Sequence, residues 1–147
     1  MNKREAARLA LRAKAEYGLS WEEVGQAVGR TSVGAAMLVY GYGAATPDEA
    51  AALVRLLKLP KEAAAAFERV PFRAPQQPWP PTDPFIYRLY EIVLLYGPPL
   101  KNVAHEQFGD GIISAVDMML DLQKERRDGA DWAVVTWRGK WLTYRRF

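Results

Sequence analysis

The sequence predicts an α+β chain, mostly helical: a helix-turn-helix-like bundle, then a part built of helices and a closing β-hairpin. Three observations carry this. Helix-start signals recur through residues 1–70, with Ser20 three residues before Glu23 and Thr46-Pro47-Asp48-Glu49 as the clearest. Six of the ten prolines (Pro71, Pro75, Pro78, Pro80, Pro81 and Pro84) crowd the middle of the chain. Valine, threonine and tryptophan gather in the tail at 132–137. The 147 residues suit one domain or two small ones. The proline-dense stretch 71–83 reads as an extended linker between a helical part at 1–70 and a second part at 84–147.

Each element has a local reason. Residues 3–17 place Ala6, Leu9, Ala10 and Ala13 on one face, and Gly18 ends that helix. Ser20 and Glu23 form a capping box for a second helix ending near Gly29. A third follows at 32–40. A fourth opens on Thr46-Pro47, with a proline at its first position, and runs to 57. A fifth covers 60–70. Beyond the linker, Asp83-Pro84 opens a helix to Tyr96, which Gly97-Pro98-Pro99 is expected to stop. A short helix at 99–108 and a turn at Gly109-Asp110-Gly111 follow. A further helix is expected to reach residue 125, with Ser114 in its first turns. Residues 132–137 and 140–144 are expected to form a hairpin turning at Arg138-Gly139. Such a hairpin is marginal alone and needs partners.

Composition excludes several chemistries. With no cysteine, the chain has no disulfide scaffold, no thiolate site and no cysteine nucleophile, and its one histidine, His105, argues against a histidine-based metal site within one chain. Twenty Lys and Arg against 17 Asp and Glu give a net +3, too small an excess to argue for nucleic acid. The longest uncharged stretch, 31–47, contains glycines and falls short of a membrane span. No apolar signal core follows the N-terminus. The protein reads as soluble and cytoplasmic.

Residues 20–40 have the layout of a helix-turn-helix. A DNA-reading second helix carries Arg, Lys, Asn or Gln to reach base edges. Residues 31–40 contain none of these, and only Arg30 stands nearby. The motif therefore reads as a packing unit or subunit contact. A transcriptional regulator with an anion-sensing second part is the competing class.

The helix from Pro84 is apolar on nearly every face and carries only two charges, Arg88 and Glu91. So small a part hardly surrounds it, which points to subunit association. Arg88 and Glu91, three apart, can pair on one face. Two readings stand: a structural ion pair at an interface, or a cation held by a carboxylate as a site for a small anion. Ser114 has two readings as well. Free N–H groups at a helix start beside its hydroxyl make an anion cradle. Alternatively, Ser114, Asp117 and Asp121 form a solvated stripe. His105 reads as a structural hydrogen-bonder or a charge at a helix C-terminus. There is no Ser/His/Asp order, phosphate loop or dinucleotide fingerprint.

At these residues the sequence resembles the cyanase family, also called cyanate hydratase or cyanate lyase. The resemblance rests on Pro81-Thr82-Asp83-Pro84, Tyr87-Arg88-Leu89-Tyr90-Glu91 and Tyr96-Gly97. It continues through His105-Glu106-Gln107-Phe108-Gly109-Asp110-Gly111-Ile112-Ile113-Ser114-Ala115 and the tail Gly139-Lys140-Trp141-Leu142. It implies that Arg88, Glu91 and Ser114 are catalytic. It implies decomposition of cyanate with bicarbonate as co-substrate to ammonia and carbon dioxide, through carbamate, with no metal or organic cofactor. It further implies a lambda-repressor-like N-terminal fold that binds no DNA, and no membrane partner. The expected assembly is a homodecamer of five dimers, with sites at subunit interfaces, hairpin strands pairing between subunits and Leu142 reaching a site from another chain. The chain departs from the family's usual pattern in its proline-richer linker with Trp79, at Phe85, at Thr143 and at Arg145-Arg146-Phe147.

Overall fold

The computed structural model describes residues 1–71 and 79–145. Most of the expected linker, residues 72–78, lies outside the described residues. Two compact units divide the chain: Met1–Arg73 with Met119–Trp137, and Ala74–Met118 with Arg138–Phe147.

Five helices make up the N-terminal part: α1 (Lys3–Glu16), α2 (Trp21–Val28), α3 (Ser32–Val39), α4 (Pro47–Leu56) and α5 (Glu62–Glu68). They stand where the sequence predicts them, α5 being a few residues shorter. The reasons are local. Asn2 caps α1 through Glu5 N at 2.9 Å. The capping boxes Ser20/Glu23 and Thr46/Glu49 are both closed. Gly29 ends α2 in the left-handed conformation, φ +69°. The helix-turn-helix closes tightly: Arg30 N donates to Gly25 O at 2.9 Å. A Cβ on Gly25 would lie 2.6 Å from Arg30 O.

The core is made mainly of alanine, valine and leucine side chains, with Phe67 the largest. Ala6 and Ala10 of α1, Val24 of α2, Ala35 and Leu38 of α3, Ala50 and Leu53 of α4, and Ala63, Ala66 and Phe67 of α5 are buried together. Alanine at the contacts lets the helix axes approach, and Phe67 fills the space left between them. Lys3 Nζ adds a polar tie, donating to Gly43 O at 2.8 Å and Phe67 O at 3.0 Å. Burial holds its pKa below the ordinary lysine value.

The C-terminal elements depart from expectation in three places. First, the helix from Pro84 does not stop at Gly97-Pro98-Pro99. It is one 25-residue helix, α6 (Pro84–Phe108), with both prolines inside. Each proline removes one ladder donor, but its fixed φ near −65° is a helical value. Gly97, lacking a Cβ, relieves the clash that a following proline imposes. Second, the expected helix at 111–125 is a strand, β1 (Gly111–Arg127). Third, the hairpin does not turn at Arg138-Gly139. β1 pairs with β2 (Ala130–Thr143) around Asp128-Gly129. Both turn residues have positive φ, +51° and +77°, which suits a two-residue hairpin turn. Gly139 is a strand residue. A Cβ there would overlap Ile113 Cγ2, so its glycine serves a close cross-strand approach and not a turn.

Candidate active site

α6 begins under a strong cap. Asp83 Oδ1 accepts from Phe85 N at 3.0 Å and Ile86 N at 2.9 Å, and Pro84 follows at the first helical position. One turn on, Arg88 and Glu91 do pair: Nε lies 3.1 Å from Glu91 Oε1. The pair is not buried within one chain. Its side chains are 71% and 41% exposed, and α6 buries no residue at all. Phe85, Leu89, Ile92, Val93, Leu95 and Tyr96 are likewise exposed. The helix is as apolar as the sequence predicts, but none of the described residues buries it. Trp79 stands edge-on to Tyr90, ring centroids 4.5 Å apart, and Tyr90 meets Tyr87 at 6.1 Å.

Ser114 is on β1, so the helix-start cradle expected around it is absent. The side chain is nevertheless buried, with the residue 4% exposed. Its hydroxyl oxygen accepts from Val116 N at 3.1 Å and Asp117 N at 2.9 Å. These are the bonds a helix cap makes, here formed locally inside a strand. The two backbone donors are therefore engaged by Ser114 itself, while its hydroxyl hydrogen remains available to donate. The Ser114–Asp117–Asp121 stripe also dissolves, because side chains alternate along a strand. Among the described residues, no hydrogen bond or ion pair joins Ser114 to Arg88 or Glu91. One chain thus unites two of the three predicted residues and places the third on a different element.

His105 is a hydrogen-bonder, as expected: its Nε2 lies 3.1 Å from Gly111 O. Trp141, which the sequence marks only as part of the tail motif, has its ring 5.2 Å from that of Phe108. Its buried indole N–H has no hydrogen-bond partner among the described residues. Arg30 is committed elsewhere, its Nη2 donating to Glu49 Oε2 at 3.1 Å. Burial pushes the Glu49 carboxyl up, but the Arg30 guanidinium and the Thr46 N–H outweigh it and hold the pKa below the usual value. Arg30, the cation next to α3 in the sequence, is thus tied to α4, which further weakens the DNA-reading alternative. Among the described residues no cluster of His, Asp and Glu is arranged for a metal ion. No described helix is long and apolar enough to cross a membrane.

A family model described as the cyanate lyase C-terminal domain matches residues 78–146. The cyanate hydratase of Aquifex aeolicus is 53% identical over 134 residues, covering 91% of this chain and 90% of that protein. That of Sulfurisphaera tokodaii is 53% identical over 144 residues, covering 98% and 97%. That of Pseudomonas putida is 41% identical over 148 residues, covering 99% of each. Among solved structures, the crystal structure of cyanase from T. urticae matches with a TM-score of 0.84 at 28% identity, covering 94% of this chain and 96% of that one.

Proposed function

We propose, from the premise that this chain belongs to the cyanate lyase family, that it decomposes cyanate with bicarbonate to ammonia and carbon dioxide. The observation that carries the reading is 53% identity to cyanate hydratases along almost the whole chain. The regulator alternative finds no support in these relatives.

In this reading a bicarbonate oxygen attacks the cyanate carbon and forms a dianionic adduct. Loss of carbon dioxide from the adduct and uptake of one proton give carbamate. A second proton and C–N cleavage release ammonia and a second carbon dioxide. Two anions must meet, so the site has to supply positive potential and fixed geometry. Arg88 supplies the charge. Glu91 engages its Nε, which leaves both terminal guanidinium nitrogens to face a pair of anionic oxygens. Ser114 accepts two backbone N–H groups, so its own hydrogen is directed to a ligand oxygen. Glu91 holds Arg88 in place and has a second role in passing the protons that turnover consumes. Bicarbonate is a co-substrate, and the steps use no metal or organic cofactor.

The site is complete only in an assembly. The uncovered apolar face of α6 and the exposed apolar residues of the hairpin, such as Val116 and Trp137, support burial against further copies. The assembly in this reading is a decamer of five dimers, with hairpins pairing between subunits and Leu142 contributing main-chain contact from another chain. The test is ammonia release from cyanate with and without added bicarbonate. Bicarbonate-dependent ammonia is the expected result, and none from folded, assembled protein overturns it. Glu91→Gln retaining more activity than Glu91→Ala assigns Glu91 to holding Arg88; equal loss assigns it to proton transfer.

A further inference from the structure

The proposed reaction leaves His105, the sequence's one histidine, without a task. It sits in the last turn of α6, and its ring spans the junction between α6 and β1. Only Gly109 and Asp110 separate the two elements, and Gly109 takes a left-handed φ of +77°. His105 Nε2 lies 3.1 Å from the carbonyl oxygen of Gly111, the first residue of β1. His105 Nδ1 lies 3.3 Å from Asp110 Oδ1. A carbonyl oxygen only accepts, so a hydrogen bond to Gly111 O requires the hydrogen on Nε2, while the Asp110 carboxylate, also an acceptor, competes for it at Nδ1. The imidazole stands edge-on to Trp141, centroids 6.0 Å apart. Gly111 has no room to move toward β2: a Cβ there would lie 2.8 Å from Trp141 Nε1 and would overlap Leu142 O. Asp110 O accepts from Tyr144 N at 3.0 Å, tying the junction to the end of β2. Ser114 follows three residues after Gly111.

We propose that His105 is a positioning residue: its Nε2–H bond to Gly111 O fixes where β1 leaves α6, and so holds Ser114 relative to the element carrying Arg88 and Glu91. The physical need is plain. A two-residue connection through a glycine has several soft dihedrals, and a displacement of about 1 Å at a reacting group costs about 10²-fold in rate. The imidazole closes that freedom with one directional bond, while Trp141, itself packed on Phe108, stands edge-on to the ring. This inference deepens the cyanate reading and rests on it for the activity measurement alone.

Two measurements test it on the full-length assembled protein. With ¹⁵N-labelled histidine the single imidazole gives an unambiguous NMR signature. The expected result is a protonated Nε2; a bare Nε2 overturns the proposal whatever the enzyme does. In the kinetic arm, His105→Phe fills the same space without the donor, and His105→Gln restores an N–H at similar reach. The expected pattern is a kcat about 10–100-fold lower for His105→Phe at near-constant KM, with His105→Gln regaining most of it. Wild-type kcat in folded His105→Phe, or equal loss in both variants, overturns it. If His105→Phe does not fold, the Gln variant decides with the NMR signature: near-wild-type kcat supports the bond, and loss as deep as that expected of the Phe variant overturns it. Wild-type protein that yields no ammonia from cyanate removes the cyanate reading, while the imidazole signature still judges the bond.

Discussion

The bundle α1–α5 and the elements that follow it use apolar side chains in opposite ways. In the bundle, Leu38, Leu53, Leu57 and Phe67 are fully buried among alanines. In α6 no side chain is buried, although it carries large apolar side chains such as Phe85, Leu89 and Ile92. Each of α1–α4 is capped by its own neighbouring side chain. α6 is capped at its start and carries two prolines in its body. The bundle satisfies its needs within one chain. A long two-stranded hairpin and an apolar helix do not, because isolated hairpins are marginal and exposed apolar surface of this extent requires a cover. The three candidate catalytic residues all lie in the second region, where the missing surface would also complete a site.

Five measurements break or sharpen this contrast, from the largest effect to the smallest. Phe67→Ala empties the centre of the bundle and should destabilise it by about 3–5 kcal/mol, read as a large drop in melting temperature by circular dichroism. Arg88→Ala should leave folding and assembly intact yet lower cyanate turnover about 10²–10³-fold; unchanged ammonia release would remove Arg88 from the site. Glu49→Gln probes the bundle's charge link. The Glu49 pKa is depressed in the folded state, so its contribution is full above the ordinary carboxylate range and lost as pH falls through the folded value. Thermal melts should therefore show wild type ahead by on the order of 1 kcal/mol at neutral pH and level with the variant in acid. Ser20→Ala opens one capping box and should cost about 1 kcal/mol, measurable by denaturant titration. Trp141→Phe removes an indole N–H that has no partner among the described residues. It should shift stability by less than about 1 kcal/mol in either direction, and a large loss would mean that another chain satisfies that donor.

Legibility followed the range of the forces involved. Ser20/Glu23 and Thr46/Glu49 act over three residues, so the bundle's helix starts were readable one by one. Ser114 shows the opposite case. Its spacing to Asp117 and Asp121 fits a helix, and its hydroxyl does make cap-like bonds to Val116 and Asp117. The chain nevertheless runs on as a strand, because pairing with β2 supplies a full ladder that the local pattern does not reveal. Asp128-Gly129 was a readable turn signal obscured by that helical spacing. Arg138-Gly139 imitated a turn, although Gly139 is small for the sake of Ile113 across the ladder.

The sequence by itself determined the α+β class, the caps of the bundle, the cation-free second helix of the helix-turn-helix and the Arg88/Glu91 pair one turn apart. These depend on residues near one another in the chain. Only the tertiary structure decided that α6 runs unbroken through Pro98 and Pro99, that Ser114 stands on a strand, and that His105 binds Gly111 across the junction. These depend on pairing and packing between segments, whose free energy outweighs local propensity.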